Sequence, residues 1–384
     1  MQRLKSYFQE TFDPKESAHI WKQRSWDRLM ELEPPSSLTS ILFPQPAAPP
    51  TSELQHAPLP NSLLFADGFF QSADVASPIV CMKLEEAMLS YGLFLQHRLQ
   101  RFFQEEKGFF ALMNGAFQGT GAFLYIPPNT RVEAPIEIHQ LCASKKMASP
   151  RLQIFLGKNA SAQIVHRVAS ERDAMSNVYL DVNLDAGANL FFGDAHTQAD
   201  QSMHFLSLRS SLKRDSRFSY LSVSNGAKRS QASIKVQLLE ENCEAKLLGL
   251  AQLSSDLQHH IDSTMEHIAP HTRSRQHFKT ILKGQSRSCF EGKIIVRPEA
   301  IKTESYQLNN HLLLSSEALS HAKPNLEIFA DDVKASHGAT VSQFNEEELF
   351  YLSSRGFPLE MAQEMLIAGF CAEILSAIPL GIRL

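Results

Sequence analysis

Histidine is the side chain here best suited to chemistry, because neutral imidazole ligates first-row metals and titrates near neutral pH. The chain has 15 histidines and five cysteines in 384 residues. One histidine stands in 330-ADDVKASHGATV-341, behind a pair of aspartates. Adjacent residues of a strand point to opposite faces, so Asp331 and Asp332 cannot grip one substrate atom together, and a turn or solvated strand end suits them better. His337 differs from them. Ser336 is small and Gly338 permits an unusual backbone path, which leaves the imidazole open to approach. On residue type alone a hydrogen-bonded structural histidine is the commoner outcome. The densest group, His259, His260, His267, His271 and His277 within 258–277, has no ligand-set spacing, and strand alternation splits its neighbours between faces. These are expected to be structural or surface residues.

Other chemistries lack their residues. The chain contains no G-x-x-x-x-G-K-[ST], no G-x-S-x-G and no H-E-x-x-H, which argues against a nucleotide hydrolase or a simple hydrolase. Cys81, Cys142, Cys243, Cys289 and Cys371 form no C-x-x-C pair, so reduced thiols are expected rather than a disulfide or a zinc site within the chain. Net charge is −4 and the isoelectric point about 6.4, which leaves no global positive field for nucleic acid or an anionic membrane. With 43% hydrophobic and 20% charged residues the chain can bury a large core. The N-terminus has no apolar signal run and no stretch approaches a membrane span, so a cytoplasmic protein is expected.

Three regions must position these residues. Residues 1–105 read as helical segments broken by a proline-rich linker, 34-PPSSLTSILFPQPAAPP-50. Before the linker, Phe8, Phe12, Ile20, Trp21, Leu29 and Leu32 recur at mixed helical spacings; after it, 82–103 sets Leu84, Met88, Leu95 and Leu99 on one stripe. Residues 106–343 read as short strands such as 163-QIVHRVA-169, 204-HFLSLRS-210 and 293-KIIVRP-298. A small or polar turn followed by alternating small and apolar residues recurs unevenly at 159-NASAQI-164, 185-DAGANL-190, 241-ENCEAKL-247 and 284-GQSRSCF-290. This predicts a mainly β fold with a right-handed parallel β-helix-like solenoid core, against a β-sandwich that explains the strands but not the turns. Residues 344–384 predict a helical hairpin: Asn345 as N-cap with Glu348 three residues on, Gly356 as C′ and Pro358 opening the second helix.

Lys302 to Asn310 (K-T-E-S-Y-Q-x-N-N), 312–315 (L-L-L-S), 323–334 (K-P-x-L-E-I-x-A-D-D-V-K), 336–340 (S-H-G-A-T) and 350–356 (F-Y-L-x-S-R-G) together resemble the C-terminal signature of the SufB/SufD family of iron–sulfur cluster assembly scaffolds. The segment 109-FFALMNGAFQGTGAFLYIPPNT-130 is similar to the entry of that family's β-helix. The N-terminal third matches loosely and lacks the acidic-Trp-Arg-Tyr motif. The S-H-G-A-T form and the chain length resemble the SufD branch. The resemblance implies a noncatalytic subunit that pairs with SufB through its β-helix, over a surface within 312–340, and docks the ATPase SufC on its C-terminal helices. Met361, Met365, Leu366 and Phe370 are the candidate dock. It also implies a transient iron–sulfur cluster at the SufB interface, with His337 as ligand or helper and no tightly bound cofactor on the isolated chain. A flavin is compatible with such a complex and unsupported by any residue pattern. Where many relatives have cysteine two residues before that histidine, this chain has Ala335. The alternatives are a self-sufficient homodimeric cluster carrier and a polysaccharide-acting β-helix enzyme, the latter requiring convergent carboxylates that Asp331 and Lys334 do not provide.

Overall fold

The computed structural model describes residues 60–117, 121–143, 147–198 and 201–384. The apolar positions from Phe8 to Leu32 and the linker 34–50 lie outside the described residues. The described chain opens with β1 (Ser62–Ala66), β2 (Phe69–Asp74) and β3 (Val80–Lys83), followed by α1 (Leu84–Ser90), α2 (Gly92–Glu105) and α3 (Phe109–Phe117). Then come β4 (Gly121–Ile126), β5 (Ile136–Cys142), β6 (Met147–Ala148), β7 (Arg151–Leu156), β8 (Ser161–Ser170), β9 (Met175–Leu184), β10 (Asn189–Gln198), β11 (Met203–Leu212) and β12 (Arg217–Ser224). They continue through β13 (Arg229–Leu238), β14 (Glu244–Leu253), β15 (Gln258–His267), β16 (Arg273–Leu282), β17 (Arg287–Val296), β18 (Glu304–Leu313), β19 (Leu319–Ile328) and β20 (Lys334–Ser342). Two helices, α4 (Glu346–Ser354) and α5 (Leu359–Leu375), close the chain.

From β8 onward successive strands alternate between two sheets, even-numbered in one and odd-numbered in the other, and neighbours within each sheet are parallel. This is a β-solenoid of about seven coils. Ser161, Asn189, Arg217, Glu244, Arg273, Glu304 and Lys334 lie side by side across one sheet, so residues roughly 27–31 apart are neighbours. The inner rows fill the space between the sheets with Ile164, Leu190, Phe192, Phe218, Leu247 and Phe278 from one side and Leu180, Leu208, Ile234, Met265 and Phe290 from the other. Burial of that row is what each ten-residue strand contributes to stability.

The turns explain the recurring sequence signal. Asn129, Asn159, Gly187, Asp215, Asn242, His271 and Lys302 take positive φ along one edge, and Asp173, Gly226, Ser255 and Gly284 along the other. Asn, Asp and Gly tolerate this conformation best. At Gly187 the space is closed as well, since a Cβ there would lie 2.3 Å from Asn159 Oδ1 of the preceding coil. The repeat is therefore more regular than the sequence motif suggests, and 284-GQSRSCF-290 belongs to the opposite edge from 159-NASAQI-164.

The helical reading of 1–105 is corrected over 62–83, where three strands form. β1 pairs parallel with β5 and antiparallel with β2, extending one sheet, while β3 caps the other by pairing antiparallel with β4. Short apolar runs such as 62-SLLFA-66 carry no helical period, and pairing with an existing sheet edge decides their state. The expected helix at 82–103 breaks at Tyr91, whose φ is −118° and ψ 24°. Its stripe packs Ala87 and Leu95 against Phe123 and Phe155. Farther along, α2 is tied to the odd-numbered sheet by Arg98 to Asp181 at 3.1 Å and by Arg209 to Glu106 at 2.7 Å. Strand β9 is consequently buried along its whole length.

The C-terminal hairpin forms as the caps predict. Asn345 Oδ1 accepts the Glu347 N–H at 2.9 Å, Gly356 has φ +90°, and Pro358 precedes α5. Ile374 and Cys371 of α5 join Leu221, Leu250, Ile281 and Leu312 on the outer face of the even-numbered sheet. Glu373 fixes the contact by meeting Arg275 and Lys279 at 3.1 Å each and His277 at 3.3 Å.

Candidate functional site

The last coil, β19 and β20, has no further coil stacked on it. Ser305, Gln307, Asn309 and His311 form the buried inner row of β18, and their in-register partners in β20 are Ala335, His337, Ala339 and Val341. In-register partners on parallel strands share a face. His337 thus stands on the inner row of the terminal coil, and it is exposed because the stack ends there. The exposure change across one step is large: Val341 is 50% exposed and its partner His311 1%, while Ile328 of β19 is 40% exposed and its partner Val296 0%.

Beneath this open end the interior is polar. Both side-chain amide atoms of Gln307, both ring nitrogens of His311 and Asn309 Oδ1 are buried without a hydrogen-bond partner. Burial depresses the His311 pKa to about 4, so the ring is neutral near pH 7. His337 belongs to no group of three or more ligand-capable side chains among the described residues. Asp331 and Asp332 lie at the bend before β20, as a turn reading requires, and Asp332 pairs with Lys302 at the coil edge.

No cysteine of this chain is poised as a thiolate. Burial pushes Cys81, Cys142 and Cys289 up to about 12 each, and it raises Cys243 and Cys371 as well. Ala335, on the same face as His337, offers no donor.

The expected dock on α5 is divided between faces. Met361 and Met365 are exposed, at 47% and 44%, together with Phe350, Tyr351 and Leu359 of the hairpin. Leu366 is half-buried. Phe370 instead packs on the solenoid, with the Lys279 ammonium 5.0 Å from its ring and donating to its carbonyl at 3.0 Å.

One group escaped the sequence reading. His166, Asp194 and His196, on the inner rows of β8 and β10, bring their ligand atoms within 4.8 Å of one another in the solenoid interior. Read by alternation they sit at positions that an ordinary strand gives to apolar residues, and their spacing matches no motif. The inner row of a coil stack could have been traced only with the register known.

Parallel coils that end in an exposed inner row carrying His337 define a β-solenoid with one open end. The sequence matches the family "SUF system FeS cluster assembly, SufBD core domain" over residues 139–370. It is 30% identical over 342 residues to the iron–sulfur cluster assembly SufBD family protein slr0076 of Synechocystis sp., covering 84% of this chain and 75% of that protein. It is 34% identical over 231 residues to the iron–sulfur cluster assembly protein SufD of Escherichia coli, covering 59% of this chain and 54% of that protein. It is 29% identical over 270 residues to Protein ABCI7, chloroplastic, of Arabidopsis thaliana, covering 67% and 56%. The chain belongs to the SufBD family of the SUF iron–sulfur cluster assembly system. Among the described residues no helix is long and apolar enough to cross a membrane.

Proposed function

We propose that this chain acts as a SufD-type scaffold subunit, noncatalytic itself, that pairs with SufB through the open end of its solenoid and carries the ATPase SufC on its C-terminal hairpin. The observation that carries this reading is the exposed inner row of β20, which presents His337 outside any group of three ligand-capable side chains among the described residues. Neutral imidazole can ligate iron, and the thiolates an iron–sulfur cluster needs would come from the partner, since burial holds this chain's own thiols protonated. The edge strands fit a pairing role. β20 offers Val341, and β19 offers Leu319 and Ile328, as exposed apolar contacts, while Pro324 within β19 limits uncontrolled edge addition.

Coexpression with SufB and SufC, followed by pull-down and by iron and sulfide analysis, tests the reading. The expected result is a three-protein complex in which His337→Ala leaves assembly and melting unchanged but lowers cluster content several-fold. Unchanged iron and sulfide in the mutant complex would remove His337 from the site. Substantial cluster on the isolated chain would favour the homodimeric carrier.

A further inference from the structure

The interior group on β8 and β10 has the geometry of a ligand set. Asp194 is fully buried; its Oδ1 lies 2.9 Å from His166 Nδ1 and 2.7 Å from His196 Nε2, and its Oδ2 accepts the Tyr220 hydroxyl at 2.6 Å. The other ring nitrogen of His166, Nε2, lies 3.3 Å from Gln140 Oε1. An amide oxygen only accepts, so Nε2 holds the proton, and a neutral ring then turns the lone pair of Nδ1 toward a carboxylate oxygen. A cation between them, or a second proton on the ring, would satisfy both atoms. Beside them stands His204, its ring edge-on to His196 with centroids 4.1 Å apart. Ser176 Oγ lies 2.6 Å from its Nδ1, and its Nε2 is buried without a partner. A cavity of about 20 Å³ adjoins His196 and Tyr220, enough for one water.

We propose that His166, Asp194 and His196 bind a divalent first-row transition ion, Fe2+ or Zn2+, inside the solenoid, with water in an open position and His204 alongside. Two imidazoles and one carboxylate with an open position form a donor set for ferrous iron that zinc also accepts. Donors about 2.0–2.2 Å from a common ion lie roughly 3 Å apart, close to the 2.9 and 2.7 Å that separate Asp194 Oδ1 from the two ring nitrogens. The outer atoms are already held: Tyr220 on the free carboxylate oxygen and Gln140 on the far nitrogen of His166, the arrangement that orients metal ligands. Two nitrogen donors disfavour Mg2+ and Ca2+. The ion would also compensate a carboxylate anion placed wholly out of water. This site is separate from His337, and the proposal does not depend on the reading of SufB or SufC as partners.

The test uses the full chain alone, expressed anaerobically with iron and zinc in the medium and purified without chelator. Elemental analysis should find about one Fe2+ or Zn2+ per chain, and which ion is present identifies the native occupant. After chelation, Co2+ should reload the site with the strong absorption of four- or five-coordination, raise the melting temperature and resist displacement by Mg2+. Asp194→Asn and His196→Gln should each abolish stoichiometric binding, whereas His271→Asn, at an exposed left-handed turn, should keep it. Melting curves establish that the variants fold; if Asp194→Asn does not, His166→Gln replaces it. The Co2+ spectrum of the wild-type chain needs no variant. Weak six-coordinate absorption, absence of saturable binding, or full stoichiometry in folded variants overturns the site, and the group is then a proton-sharing network.

Discussion

Buried histidines give this protein a built-in acid sensitivity. Burial lowers His259 to about 4, His267 to about 3 and His311 to about 4. His267 is held as a neutral ring between Thr272 Oγ1 at 2.7 Å and Ser274 Oγ at 2.9 Å. In the unfolded chain each titrates near 6.5. Between about 6.5 and 4 the unfolded state therefore binds more protons than the folded one, so stability present above pH 6.5 is lost as pH falls through that window. Each ring contributes at most about 1.4 kcal/mol per pH unit. Melting temperature should fall steeply from pH 6.5 to 4, and His267→Gln should flatten the slope; an unchanged profile in that variant would remove His267 from the cause. Of the histidines in 258–277, His259, His260, His267 and His277 are buried, and exposed His271 occupies a left-handed turn. Asp194 and His166 were illegible for a physical reason. Polar residues on a strand are ordinarily read as its wet face, and only the stack of coils makes theirs the dry one.

At the scale of elements, α5 separates what sequence can and cannot say. Its start and the turn before it follow from Gly356 and Pro358, whose backbone preferences are local. Its orientation is not local, because 359-LEMAQEMLIAGFCAEIL-375 is apolar on most sides and a helix without a polar face gives no direction. The structure directs Ile374, Cys371 and Phe370 inward and Met361 and Met365 outward. Two substitutions should therefore behave differently. Phe370→Ala should lower the melting temperature and loosen the hairpin toward protease, by an amount of order 1–3 kcal/mol for a half-buried aromatic. Met365→Asp should leave melting nearly unchanged, within about 0.5 kcal/mol, and weaken SufC binding at least tenfold, roughly 1.4 kcal/mol, if the proposed dock is right. Wild-type SufC affinity in a folded Met365→Asp chain would place the dock elsewhere.

Across the whole molecule, the solenoid was legible through its turns more than its strands. Asn159, Gly187 and Asn242 announced a repeated left-handed corner, while strands such as 178-VYLDVNL-184 fit a sandwich equally well. The N-terminal strands were not legible, because their state is set by docking on β4 and β5 rather than by their own pattern. The uncovered last coil carries one more consequence, for hydrogen exchange. In a stack where each coil touches only its neighbours, opening free energy accumulates from the ends inward. Amides of β20 should exchange fastest, those of β18 more slowly, and those of β14 and β10 near the global limit. Uniform protection along the series would contradict this. A partner seated on the open end would then do more than complete a ligand set. It would raise the opening free energy of β19 and β20 by its own binding energy, so that the order of the coil presenting His337 becomes a direct readout of whether the partner is there.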